Sequence, residues 1–201
     1  TNGLFPAVFV AGKDGDWSKG EWEWACDRRP PQHQRMCHLT DASWTSDLLL
    51  EWYREIEKDP RIVPYCQRYA EALLRTQLPS GAFPSWVDPE TFHASPFLRE
   101  SAQGMTSVMF LHSLHEVTLD RRYLDAARRC AEFVEREVLP ASRWEDFETY
   151  YSCSKEGPFK QMGRRDPVTG LYPANTLALW WAAEGFLRLG MHDAARRALD
   201  E

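Results

Sequence analysis

Residues 125–129 and 193–197 spell the same five letters, Asp-Ala-Ala-Arg-Arg. Each copy follows an apolar, helix-like run and a short polar turn. Such self-similarity marks an array of like units, which constrains the fold before any motif does. A more diverged unit lies upstream, where Leu48 to Glu57 runs into the turn Lys58-Asp-Pro-Arg61 and a second helical stretch follows. The units read as helical hairpins. They pair 43–57 with 62–77, 101–118 with 121–137, and 175–189 with 191–201. Their spacing is about twice the roughly 34 residues of a tetratricopeptide repeat.

The two helices of a hairpin differ in pattern. In the second helix of the middle unit, Tyr123, Ala126, Ala127, Cys130, Ala131, Val134 and Val138 recur at helical spacing, and Arg128, Arg129, Glu132, Glu135 and Arg136 take the other side. That is one apolar stripe and one wet face. Tyr65, Cys66, Tyr69, Ala70, Leu73 and Leu74 make a similar stripe. The first helices, as over Met105–Leu114 and Leu177–Ala183, are apolar nearly all round, the mark of burial on most sides. An inner layer of buried helices wrapped by amphipathic ones predicts an all-α (α/α) toroid segment of about three hairpins. Residues 1–41 are expected as a loop-rich segment packed on it, and 42–201 as the hairpins of a longer chain. Trp52, Trp180 and Trp181 are assigned to its core.

Turns within hairpins are short, but the connections over 1–42, 78–100 and 138–174 are long, and long connections in a domain tend to be functional. All three lead into the start of a first helix, so they share one face. Helix N-termini there suit polar or anionic groups. The net charge of −6 gives no support for nucleic-acid binding, and no apolar run approaches the length of a membrane span.

Several of the nine Trp fall in or beside the long connections. Aromatic faces on loops stack on sugars or apolar groups. Asp88, Glu90, His93, Arg99 and Glu100 cluster in one loop, and Trp144, Asp146, Glu148, Tyr150, Tyr151 and Cys153 in the next. Acids beside aromatics fit glycoside hydrolysis, which needs two carboxylates flanking the bond; the alternative is solvated loop acids or helix caps. Cys26, His33, Cys37 and His38 also cluster, but at a spacing no standard zinc site uses. No metal or cofactor is expected. Cys66 and Cys130 fall on apolar stripes as buried thiols.

Paired inner and outer helices, same-face loops and the motif Gln77-x-x-x-Gly81-x-Phe83-x-x-Trp86 after an outer helix resemble the six-hairpin glycosidase-like (α/α) toroids. That superfamily holds glycoside hydrolases, polysaccharide lyases and sugar epimerases. The resemblance covers about residues 41–201, at the level of pattern. Gln77-x-x-x-Gly81-x-Phe83 is also similar to the Gln–Trp motif of triterpene cyclases, but Phe83 stands where they have Trp, and the chain has no Asp-x-Asp-Asp motif.

The resulting expectation is a carbohydrate-active enzyme, a glycoside hydrolase first, a lyase or epimerase of the same fold next. A non-catalytic helical-repeat module is the reading from another class. Glu100 and Asp146 are the expected acid pair, with Glu148 and Asp88 in reserve. Trp86, Trp144 and Tyr150 would form the sugar platform, with Trp44 and Tyr151 as further contacts. Arg99 would bind the carboxylate of a uronide. The expected partners are a carbohydrate substrate and the remainder of a longer toroid, with no nucleic acid and no membrane.

Overall fold

In the computed structural model, residues 2–6, 8–24, 35–96, 98–144 and 176–201 are described. They are predominantly helical, in an all-α arrangement. The helices are α1 (Leu39–Glu55), α2 (Ile62–Leu74), α3 (Met105–Thr118), α4 (Arg121–Phe133), α5 (Thr176–Arg188) and α6 (His192–Leu199). A π-helical turn, Val134–Val138, extends α4. Ahead of α1 lie strands β1 (Val8–Val10) and β2 (Glu21–Glu23), paired antiparallel. The two-residue strand β3 (Cys37–His38) pairs with β4 (Trp86–Val87) and so ties the start of α1 to the α2–α3 connection.

Three hairpins result, close to the boundaries read from the repeat. Two of their turns use one device. The Asp59 carboxylate accepts from the Arg61 N–H at 2.9 Å, and the Asp120 carboxylate accepts from the Arg122 N–H at 3.0 Å. Asp120 satisfies an orphan donor of α4, and Asp59 braces Arg61 in the turn just before α2.

The first helices form one layer and the second helices the other. Helix α3 packs between α1 and α5, and α2, α4 and α6 lie against their own partners. Nearly all of α3 is buried, from Met105 through Leu111 and on to Ser113 and Leu114. Both copies of Asp-Ala-Ala-Arg-Arg keep one orientation. Ala126, Ala127, Ala194 and Ala195 are buried, and the arginines after them are exposed. The second arginine of each copy reaches toward the preceding outer helix. Arg129 bonds the Gln77 side chain just beyond α2, and Arg197 bonds Glu135 just beyond α4.

Helix α1 departs from the simple apolar pattern. Its buried face is Leu39, Thr40, Ala42, Ser43, Ser46, Asp47 and Leu50, mostly small or polar residues. Leu48 and Trp52 stand outside at 51% and 47% exposure. Trp180 is likewise exposed at 46%, so of the three tryptophans assigned to the core only Trp181 is buried. Small residues let α1 approach α3 closely, and Ser43 is paired across the contact. Ser43 Oγ lies 2.9 Å from Ser107 Oγ and 2.8 Å from Tyr69 Oη. Tyr69 Oη also donates to the Leu39 carbonyl.

Asp47 binds α1, α3 and α5 together. Ser113 of α3 donates to its carboxylate at 2.6 Å, and Arg188 at the end of α5 donates to both of its oxygens at 3.0 Å. Arg188 Nε is held by Glu184. Asp47→Ala leaves Arg188 with Glu184 alone and takes the acceptor from the buried Ser113 hydroxyl, so we expect it to lower unfolding stability by about 2 kcal/mol. The double change Asp47→Leu, Arg188→Met should recover more than half of that in urea denaturation, because no buried charge is left unpaired.

The Gln77–Gly81 motif is a clamp between the end of α2 and α4. Gln77 Nε2 donates to the Gly81 carbonyl at 2.9 Å and to the Ala126 carbonyl of α4 at 2.8 Å. Gly81 has φ 97°, and a Cβ there would stand 2.4 Å from the Arg129 carbonyl oxygen. Gly190 also has positive φ, 74°, but open space around it. Gly81→Ala should then cost about 2 kcal/mol or more, since backbone must move. Gly190→Ala should cost about 1 kcal/mol, the left-handed backbone alone. Equal thermal shifts for the two would refute the clamp.

Candidate functional site

A cavity of about 620 Å³ opens at the N-terminal end of α1. Phe5, Trp22 and Tyr65 supply its aromatic walls, and Asp41 and Thr45 its polar groups. The volume suits a small-molecule ligand, and apolar walls with a few polar groups are the usual make-up of such sites. Trp22 is 64% exposed. Asp41 sits in the first turn of α1, where the helix dipole favours its negative charge. Its carboxylate lies 2.7 Å from Nδ1 of the buried His38. The His38 ring stacks on Trp86, with centroids 4.1 Å apart. The short β3–β4 ladder fixes that stack, and the Leu39 N–H bonded to the Ser85 carbonyl extends it. A fixed imidazole–carboxylate contact thus stands beside an aromatic cavity. Asp41 can accept hydrogen bonds from hydroxyl groups in it.

A second, smaller cavity of about 240 Å³ lies where α2 ends and the α2–α3 connection folds back. Arg75, Gln77, Phe92, His93 and Arg99 line it. The turn beneath it is organised by Asp88, whose Oδ1 accepts from the Thr91 and Glu90 N–H groups and from Thr91 Oγ1. These bonds, led by that from the Thr91 N–H, hold the Asp88 carboxyl below the usual carboxylate range.

The residues expected from sequence fare differently. Asp146, Glu148, Tyr150 and Tyr151 lie outside the described residues. Trp86 and Trp144 are buried, at 0% and 2% exposure, and so offer no free ring face for a sugar. Both are loop tryptophans turned inward because the short ladder and the end of the α4 extension fold them onto the core. Trp44 belongs to α1 and packs edge-on to Trp181, centroids 5.6 Å apart. Glu100 is exposed and lies outside α3, before the cap residue Ser101 whose hydroxyl accepts from the Gln103 N–H. Arg143 donates to the Glu100 carbonyl, not its carboxylate. The buried side chain at the start of α3 is therefore Gln103, not Glu100. Its amide nitrogen and oxygen find no hydrogen-bond partner among the described residues. Asp88 serves its own turn, and Arg99 lines the smaller cavity.

Sequence reasoning missed Asp41 as a site residue. Its signal was a carboxylate three residues after His38 at a helix start, beside a segment considered only for zinc. Of that segment, Cys26 and His33 lie outside the described residues, and the Cys37 thiol donates to the Phe5 carbonyl. No family model, no curated protein and no solved structure matches this chain.

Burial pushes the thiols of Cys37, Cys66 and Cys130 each up to about 12, with the Phe5 carbonyl bond opposing it at Cys37. Since the thiolate is the reactive form, these three should resist thiol reagents in the native protein. At mildly alkaline pH the reduced, folded protein should react at Cys26 and Cys153 at most, and all five thiols should react after denaturation. Rapid native labelling of Cys66 or Cys130, located by peptide mass mapping, would contradict this burial.

Proposed function

We propose that the protein is a carbohydrate-active enzyme that binds its sugar in the cavity at the start of α1, with glycoside hydrolysis as its chemistry. The observation that supports this reading is the cavity itself, which the Trp22 indole and the Asp41 carboxylate line together. Sugar rings present C–H faces that stack on indoles, and hydroxyls that donate to carboxylates. In this reading Asp41 replaces Glu100 as the leading carboxylate. Its position beside His38 and a helix N-terminus suits an ionised base or nucleophile. Hydrolysis needs a second carboxyl group about 5–9.5 Å away. Asp146 and Glu148 stay candidates for it, and lyase or epimerase chemistry is the next reading.

The hairpin array is proposed as part of an (α/α) toroid. Support comes from the apolar edges it presents, Leu48 and Trp52 on α1 and Trp180 and Leu187 on α5. Edges of this kind also favour the second reading, a helical-repeat module that packs on further helices.

A glycan array followed by isothermal titration tests the sugar reading. Trp22→Ala should weaken binding of the selected glycan about tenfold or more, the effect of losing a stacking platform worth about 1–2 kcal/mol. Asp41→Asn should abolish turnover while retaining binding. If both variants bind and turn over as the parent does, the α1 cavity is not the site.

A further inference from the structure

We propose that the smaller cavity, at the end of α2, is a binding site for a small oxyanion, a phosphate or carboxylate group. The site stands whether or not the α1 cavity takes a sugar. Arg75, Arg99 and His93 converge on a volume of about 240 Å³, enough for one anionic group and little more. The chain as a whole carries a formal charge of −6, so a pocket that gathers cationic side chains runs against its own protein.

The surrounding acids do not neutralise them. Some arginines elsewhere on this surface are paired, Arg54 with Glu116, Arg122 with Glu71 and Asp120, Arg197 with Glu135, and others, such as Arg128 on α4, form no ion pair among the described residues; what sets Arg75 and Arg99 apart is that they line one cavity. Among the described residues no carboxylate forms an ion pair with Arg75 or Arg99. The Asp88 Oδ1 is committed to the Thr91 and Glu90 donors of its own turn.

Arg75 is also held in place. Its guanidinium lies 3.8 Å over the centre of the Phe92 ring. A cation stacked by its face keeps its N–H donors free in the plane, and those donors form the fork that suits carboxylate and phosphate. Phe92 reaches this position with φ 62°, a left-handed backbone that is costly for an aromatic residue. The turn bears that cost through the Phe92 N–H bonded to the Asp88 carbonyl and the Asp88 N–H bonded to the His93 carbonyl. The result is one arginine on a fixed platform in the wall of a small cavity that a second arginine also lines. That arrangement fits a group with two or three oxygens and not a neutral ligand.

Isothermal titration of the whole chain with inorganic phosphate, with glucuronate and with glucose at matched ionic strength tests the proposal. One saturable site is expected for phosphate, glucuronate or both, and none of this affinity for glucose. Phosphate alone would identify a tetrahedral ligand, and glucuronate alone a sugar acid. Arg75→Gln and Arg99→Gln, made separately, should each weaken that binding about tenfold or more, the loss of one charge-assisted bond. Arg128→Gln, on the exposed face of α4, should leave it unchanged. Circular dichroism melts check that each variant stays folded. Absence of saturable binding for both anions would overturn the site. So would an equal loss in Arg128→Gln, which would reduce the effect to bulk charge.

Discussion

The carboxylate of Asp47 holds the inner layer together. It sits at 4% exposure on α1, takes a hydrogen bond from Ser113 of α3 and two from Arg188 of α5. A buried pair of this kind adds little net stability over well-packed apolar residues. What it adds is register. Three helices with small or smooth contact faces could slide along one another, but the pair is satisfied at one setting only. Everything at the other end of the array depends on that setting, including the placing of the first turn of α1 against the connection that carries Trp86.

The same division of labour runs through the structure. Apolar burial makes the layers, and polar contacts select how they meet. Ser43, Ser107 and Tyr69 share a chain of hydroxyls where α1, α2 and α3 meet. Gln77 and Gly81 lock the α2–α3 connection onto the backbone of α4. Arg129 and Arg197 tie successive outer helices, each from the same place in its copy of the repeat. Exposed contacts of that last kind are worth little energy individually. Their value is that they recur with the repeat and so keep the outer layer in step.

Both cavities follow from how the long connections are pinned. The β3–β4 ladder and the His38–Trp86 stack hold one wall beside Asp41. The Asp88 turn holds Phe92 under Arg75. In each case a loop is made rigid by backbone hydrogen bonds and buried aromatic packing. Its polar side chains then stand in a preset arrangement, which lowers the entropy lost on binding. Burial of Trp86 is part of that rigidity. As a structural stack it positions His38, where as a sugar platform it would have had to stay open.

Local chemistry determined the hairpins. Periodic stripes such as Tyr123 to Val138, the paired Asp-Ala-Ala-Arg-Arg segments and the aspartates at the turns act over a few residues, and neighbouring residues suffice to read them. The Gln77–Gly81 motif was visible too, although its partner, the α4 backbone, was not. The tertiary structure alone decided which faces are used. Helix α1 buries serines, a threonine and an aspartate and exposes Leu48 and Trp52, because α3 offers it a close, polar-lined surface that pattern cannot reveal. Likewise a loop tryptophan and a loop carboxylate look alike in sequence whether they face a ligand or the core. Trp22 stayed largely exposed and Trp86 was buried, and Asp41 came to a cavity while Glu100 stayed at the surface. Such outcomes depend on contacts between residues far apart in the chain, and those contacts exist only once the layers have packed.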